Sequence, residues 1–190
     1  MTAPQLLDTP RAVKLSIDGY HLLDRAGALE AYPRTELVDG VILAMSPQYR
    51  PHDYVKAELA YRLRVALEAM GSPYYVLTET SVAIPPSSEP RPDVLLTDEP
   101  RGGGAVPIAS VPLAIEIAVN SLAFDRGAKA AVYAAGGIPE YWVVDVGRRV
   151  LHLMWTPGPD GYAKEREVAL GERVGSVAVT GLGVETNGLA

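Results

Sequence analysis

Glu116 lies inside VPLAIEIAV at 111–119, a run that is otherwise apolar from end to end. An ionised carboxylate in such a strand is costly unless a cation pairs with it. The alternative is an acid at the strand end, facing solvent or an arginine. RPDVLL at 91–96 supplies a second acid, because Asp93 follows a proline and opens a short β-rich run, at a strand edge. Alone, a Pro-Asp pair is as readily a turn. Downstream, Asp125, Lys129 and Tyr133 recur at four-residue steps and share one face of a helix. The plain alternative there is a solvated Asp–Lys pair. Together the three signals form a chemical set. Two carboxylates on neighbouring strands can hold a divalent cation through oxygen and leave waters for a substrate phosphate. A nearby lysine can orient or help deprotonate an attacking water, or stabilise charge on a pentavalent phosphate. The metal would polarise the phosphoryl oxygen and lower the water pKa. Phosphodiester hydrolysis needs those parts.

The elements that must position these residues follow from periodicity and punctuation. Ser16 to Ala26 predicts a short helix capped by Ser16 and stopped by Gly27. ELVDGVILAM at 36–45 predicts a hairpin turning at Asp39-Gly40. From about Pro51 to Met70, Val55, Leu59, Leu63, Ala66, Leu67 and Met70 trace one face of a helix. YYVLTETSVAI at 74–84 and DVLL at 93–96 predict strands, and residues 97–110, with Gly102-Gly103-Gly104, predict a mobile loop. PLAIEIAV at 112–119 predicts a central strand. A helix from about Leu122 to Ala135 follows, with Ala128, Ala131, Val132 and Ala135 turned toward the sheet. EYWVVDV and RRVLHLMW pair across Gly147, and the tail from Pro157 holds one or two short strands. The strand–helix–strand unit implies a parallel pair. The class is α/β with a central mixed sheet flanked by helices. Its expected parts are an arm and short helix over 1–35, a main domain over 36–165 and a C-terminal extension over 166–190.

Bulk properties narrow the class. The 190 residues are 48% hydrophobic and 21% charged, an ordinary globular balance. The absence of cysteine excludes disulfides, thiol nucleophiles and cysteine metal sites. The opening segment shows no signal-peptide core, and the most apolar run is too short to span a bilayer, so a cytoplasmic protein with no membrane partner is expected. A net charge of −6 argues against tight nonspecific binding to nucleic acid. A carboxylate-rich metal site would itself contribute to that charge. His21, His52 and His152 show no metal-ligand spacing, Gly102 to Gly104 make no phosphate loop, and Trp142 and Trp155 read as core.

Taken together, ELVDG, His52, RPDV, PLAIEIA, the D-x-x-x-K-x-x-x-Y helix and GIPEYWVVD, in that order and spacing, give a chain that resembles the Uma-two family of bacterial endonucleases. That family is a branch of the restriction-endonuclease-like PD-(D/E)xK superfamily, and the resemblance runs from about Glu36 to Tyr162. It implies a restriction-endonuclease-like core with an N-terminal hairpin. It also implies Asp93 and Glu116 as metal ligands, with the backbone carbonyl of Ile117 as a third. The superfamily's usual lysine lies two residues after the glutamate, where this chain has Ala118; Lys129, on the following helix, matches the Uma-two pattern. Glu36 would be an accessory acid, and His52, Asp125 and Tyr133 supporting or substrate-binding residues. The family's serine-proline pair after the glutamate is replaced here by Val119-Asn120 before Ser121.

The expected activity is therefore a Mg2+- or Mn2+-dependent endonuclease acting on DNA, with a homodimer the corresponding expectation for the superfamily. The alternative is a catalytically inactive descendant of the fold that binds nucleic acid or a protein partner. Two-carboxylate glycoside hydrolysis is a poor third, since it leaves the lysine idle.

Overall fold

The computed structural model describes residues 12–190; the first part of the expected N-terminal arm lies outside them. Ser16 caps α1 (Ile17–Arg25), its hydroxyl accepting from the Gly19 N–H at 3.1 Å. Strands β1 (Thr35–Val38) and β2 (Val41–Ala44) form the expected hairpin. Asp39 and Gly40 both take positive φ (49° and 76°), the pair of values that a two-residue turn between twisted strands requires. Helix α2 (Arg50–Ala69) then buries His52, Val55, Leu59, Leu63 and Leu67 along one face.

The 74–84 segment is not one strand. It divides into β3 (Tyr75–Thr78) and β4 (Val82–Ala83), because Glu79 adopts a left-handed φ of 51°. The Arg91 guanidinium holds the kink by donating to the Glu79 carbonyl at 3.0 Å. After β5 (Val94–Thr97), the loop expected over 97–110 ends in structure. There β6 (Val106–Pro107) pairs in parallel with β4, and a 3-10 turn follows over Ile108–Ser110.

Strand β7 (Leu113–Ala118) leads into a helical segment: α3 (Leu122–Phe124), a π turn over Asp125–Lys129, and α4 (Ala130–Ala135). Of the expected inward face, Val132 packs half-buried against the sheet, but the orientation is reversed for the alanines. Asp125, Lys129, Ala130, Tyr133 and Ala134 are buried, whereas Ala128, Ala131 and Ala135 face out. The wide π turn keeps Asp125 and Lys129 on the inward side. Strands β8 (Glu140–Asp145), β9 (Val150–Gly158) and β10 (Gly161–Ala169) follow, then the small pair β11 (Arg173–Gly175) and β12 (Gly183–Glu185). The expected short tail strands begin with a nine-residue one, which runs unbroken through position 165.

The central sheet has six strands in the order β10-β9-β8-β7-β5-β3, and it is mixed: β7 and β8 run parallel and the other neighbours antiparallel. Strand alternation gives two cores. Ile115, Ile117, Trp142 and Val144 pack with α2 and with Val174, Val184 and Leu189 of the tail. Ala114, Ala118, Tyr141 and Val143 pack with Ala130 and Tyr133 on the other face. Among the described residues no helix is long and apolar enough to cross a membrane.

Candidate active site

The register of β5 against β7 places the two acids. Val94 stands opposite Ile115, so one step further the antiparallel count sets Asp93 opposite Glu116. The Glu79 N–H donates to the Asp93 carbonyl, so the backbone groups of Asp93 face β3. Asp93 and Glu116 are therefore a non-hydrogen-bonded pair, the kind whose side chains approach most closely. Both project to the α4 face, since their neighbours Val94 and Ile115 belong to the α2 face. Both are 3% exposed.

Pro92 gives the site another feature. Val146 donates to the Ala118 carbonyl, so even-numbered residues of β7 turn their backbone groups to β8, and Ile117 turns its own toward β5. There it would meet Pro92, which has no N–H to give. The Ile117 carbonyl is thereby left without a ladder donor, while its N–H donates to Asp93 Oδ2 at 2.8 Å.

Lys129 comes across from the π turn. Its Nζ donates to Glu116 Oε1 at 2.8 Å and lies 3.0 Å from Glu36 Oε2. The latter is an ion contact without hydrogen-bond alignment, and neither Glu36 oxygen has a hydrogen-bond partner among the described residues. Tyr133 also donates to Glu116 Oε1, at 2.9 Å. His52, in the first turn of α2, holds Asp93 Oδ2 at 3.0 Å through Nε2, which must carry the proton toward an ionised carboxylate. Asp125 accepts from the Ser121 hydroxyl at 2.5 Å. The residues named from sequence thus converge: Glu36, Asp93, Glu116, Lys129 and Tyr133 form one buried network, His52 joins it through Asp93, and Asp125 stands beside it. Asp93, Glu116, Ile117, His52, Asp125 and Lys129 line a cleft of about 640 Å³.

Two participants escaped the sequence reading. Gln48 Nε2 donates to Asp93 Oδ1 at 2.9 Å, and Lys56, which itself bonds Glu79, fixes Gln48 through Oε1 at 2.8 Å. Arg34 lines the cleft and pairs with Glu79 at 3.3 Å. The signal available for Gln48 was its place in the short link between a strand and the helix that opens with His52.

Charge in this pocket is unbalanced. Burial works against ionised Asp93, yet His52, the Ile117 N–H and Lys129 hold its pKa below the ordinary value. Glu116 is pushed well above its ordinary value, first by burial and then by Asp93, Asp125 and Glu36, against the pull of Lys129. Burial raises Asp125 to about 6, opposed by Ser121 and Lys129. Lys129 is itself penalised by burial, but Glu116 and Glu36 keep it a firmer cation than an ordinary lysine. A surplus of carboxylates around one ammonium favours a further cation, or a proton in its place.

The donors fit a hard divalent ion: two carboxylates and a freed carbonyl, all oxygen. Among the described residues no group of three or more His, Asp or Glu is arranged as a metal cage. Such an ion would leave coordination positions for waters or substrate oxygens.

Comparison with known proteins agrees with this architecture. No curated protein matches the chain. The crystal structure of a putative nuclease belonging to DUF820 from Anabaena variabilis ATCC 29413 superposes with a TM-score of 0.68, covering 92% of this chain and 97% of that one. At 12% identity the likeness shows a shared fold, here a six-stranded mixed sheet flanked by helices. The Uma2 family model, described as "putative restriction endonuclease", matches residues 18–187. The chain belongs to the Uma2 family.

Proposed function

We propose that this protein is a Mg2+- or Mn2+-dependent endonuclease that hydrolyses DNA phosphodiester bonds. The observation that carries this reading is the convergence of Asp93, Glu116 and Lys129 at the floor of one cleft, with Lys129 Nζ 2.8 Å from Glu116. Asp93, Glu116 and the Ile117 carbonyl would hold the ion. When bound, it would supply a Lewis acid for the phosphoryl oxygen and an acidified water.

The chain's own groups divide the remaining work. His52 and Gln48 fix both oxygens of Asp93, so that carboxylate is oriented before any ligand arrives. Lys129, held charged by Glu116 and Glu36, suits stabilising negative charge on the phosphate or orienting water better than accepting a proton. Glu36, wholly buried behind Lys129, positions it. Tyr133 donates to Glu116 and leaves that residue's other oxygen for the cleft.

Calorimetric titration with Mn2+ tests the reading, wild type beside Asp93→Ala, followed by assays on plasmid, linear and single-stranded DNA. Saturable binding that disappears in Asp93→Ala, with cleavage that disappears with it, is the expected result. Cleavage that survives Asp93→Ala refutes the site. One observation favours a second reading, a nuclease-fold protein that binds without cutting: Lys129 is already engaged by both Glu36 and Glu116. That reading takes over if wild type binds DNA but cuts none of the three forms with either ion.

A further inference from the structure

The floor of the cleft is deep, and its rim sets apolar side chains among the exposed polar ones of Ser46, Asn120 and Ser121. Asp93, Glu116 and Lys129 are 2–3% exposed, so a reacting phosphate must enter the recess rather than lie across a surface. Around the entrance stand Pro47, Tyr49 and Val119, all exposed, with Met45 and Phe124 half-buried behind them. Tyr49 is 72% exposed and lines the cleft, so its ring stands accessible beside the polar floor. It occupies the N-cap position of α2 yet makes no capping hydrogen bond, so helix ending does not account for it.

Among the described residues, cations are scarce in the same place. Arg34 and Lys129 are, among the described residues, the Lys and Arg side chains lining the cleft; Arg34 pairs with Glu79, and Lys129 pairs with Glu36 and Glu116. A duplex is held mainly through many phosphate contacts along a basic surface. This cleft offers instead an aromatic and aliphatic rim above an acidic floor, which suits bases free to leave the stack and rest on a ring. Its volume falls in the range of clefts that enclose a small ligand rather than an extended groove.

We propose that the substrate is DNA whose bases are unpaired at the cleavage site, and that the base beside the reacting phosphate stacks on Tyr49. This rests on the endonuclease reading for its chemistry, but its binding half is tested separately. With Ca2+ replacing Mg2+, fluorescence anisotropy compares a labelled single strand, its full duplex, and the same duplex carrying a central unpaired bubble. Single strand and bubble should bind at least about tenfold more tightly than duplex, with a salt slope shallower than about −2, as expected for one or two phosphate contacts. Tyr49→Ala should weaken single-strand binding roughly 5- to 100-fold, and Tyr49→Trp should keep it. Neither change touches the core, so an unchanged melting temperature checks folding. The three DNAs are then digested with Mn2+.

Single-strand binding that depends on an aromatic residue at position 49 supports the proposal even if no DNA is cut; in that case only the endonuclease chemistry fails. Equal binding or cutting of duplex and single strand overturns the proposal and leaves that chemistry standing. Tyr49→Ala with wild-type affinity, or no binding of any form, overturns it as well.

Discussion

Replacing Lys129 by methionine keeps the stem's volume and removes its charge, leaving Glu36 and Glu116 facing each other without a cation. The ammonium lies 3.0 Å from the Glu36 oxygen and 2.8 Å from that of Glu116. At an effective dielectric of ~20 each contact is worth roughly 5–6 kcal/mol of gross attraction, most of it offset by desolvation. Removing one partner of such a buried set costs about 3–5 kcal/mol when the others stay charged. They need not stay charged, because Glu116 already has a pKa well above its ordinary 4.5, mainly through burial, and losing Lys129 raises it further. A carboxyl whose folded pKa exceeds its unfolded one contributes most below the unfolded value. That contribution is lost as pH rises toward the folded value, by up to ~1.4 kcal/mol per pH unit. Urea unfolding of Lys129→Met should therefore show a deficit of about 3–5 kcal/mol near pH 8, shrinking to about 1 kcal/mol near pH 5. Mn2+ should restore more stability to the variant than to wild type at the higher pH, since the ion would supply the missing charge, while DNA cleavage stays lost. A deficit that does not change with pH would refute the charge balance assigned here, and a deficit that Mn2+ cannot reduce would count against a metal at this floor.

Two further changes test the frame around the site. Glu140→Gln keeps the shape, but either amide orientation sets its NH2 against a donor, Trp142 Nε1 at the Oε1 position or the Val177 and Ala178 N–H groups at the Oε2 position. Chemical denaturation should show a loss of about 2–4 kcal/mol, with Mn2+ affinity at the floor unchanged in the protein that remains folded. Gly136→Ala has no backbone penalty, yet its methyl would collide with the Ile108 δ-methyl and sit 2.8 Å from Ile84 Cγ2. An overpacking cost of about 1–3 kcal/mol is expected, read as a lowered melting temperature.

What could be read in the sequence was what local rules govern. Asp39-Gly40 announces a turn because few residues accept two successive positive φ values, and α2 is legible because Val55, Leu59, Leu63 and Leu67 meet the sheet at helical spacing. The break at Glu79 was hidden, since nothing local forces that residue left-handed; the guanidinium of Arg91, twelve positions away, holds it there. The α3–α4 face was misread for a related reason. Hydrophobicity alone turns its alanines inward, but a buried lysine with two glutamates to meet can outweigh small methyl groups, and the π turn accommodates it. Asp93 and Glu116 were recognisable as acids in apolar strands, whereas their direct opposition depends on a register that only strand pairing supplies. Gln48 could not be told from any other loop amide until Asp93 Oδ1 was seen beside it.

Glu140 shows why burial alone does not mark a functional acid. It too sits in an apolar strand, wholly buried. Its oxygens are nonetheless saturated: Trp142 Nε1 donates to Oε1 at 2.7 Å, and Ser176 Oγ and the N–H groups of Val177 and Ala178 donate to Oε2. That carboxylate staples the turn after β11 to β8, with both oxygens held by the fold and neither one lining the cleft. Glu116 differs in distribution, not in depth. Both of its donors, Lys129 and Tyr133, crowd onto Oε1, and Oε2 accepts from no group among the described residues while the side chain lines the cleft. Directly across the strand pair stands Asp93, and beside them a carbonyl that Pro92 has freed from the ladder. An acid that only holds the fold together engages both oxygens away from any cleft, as Glu140 does. Glu116 keeps an oxygen in reserve where a second carboxylate and a carbonyl can share an ion with it.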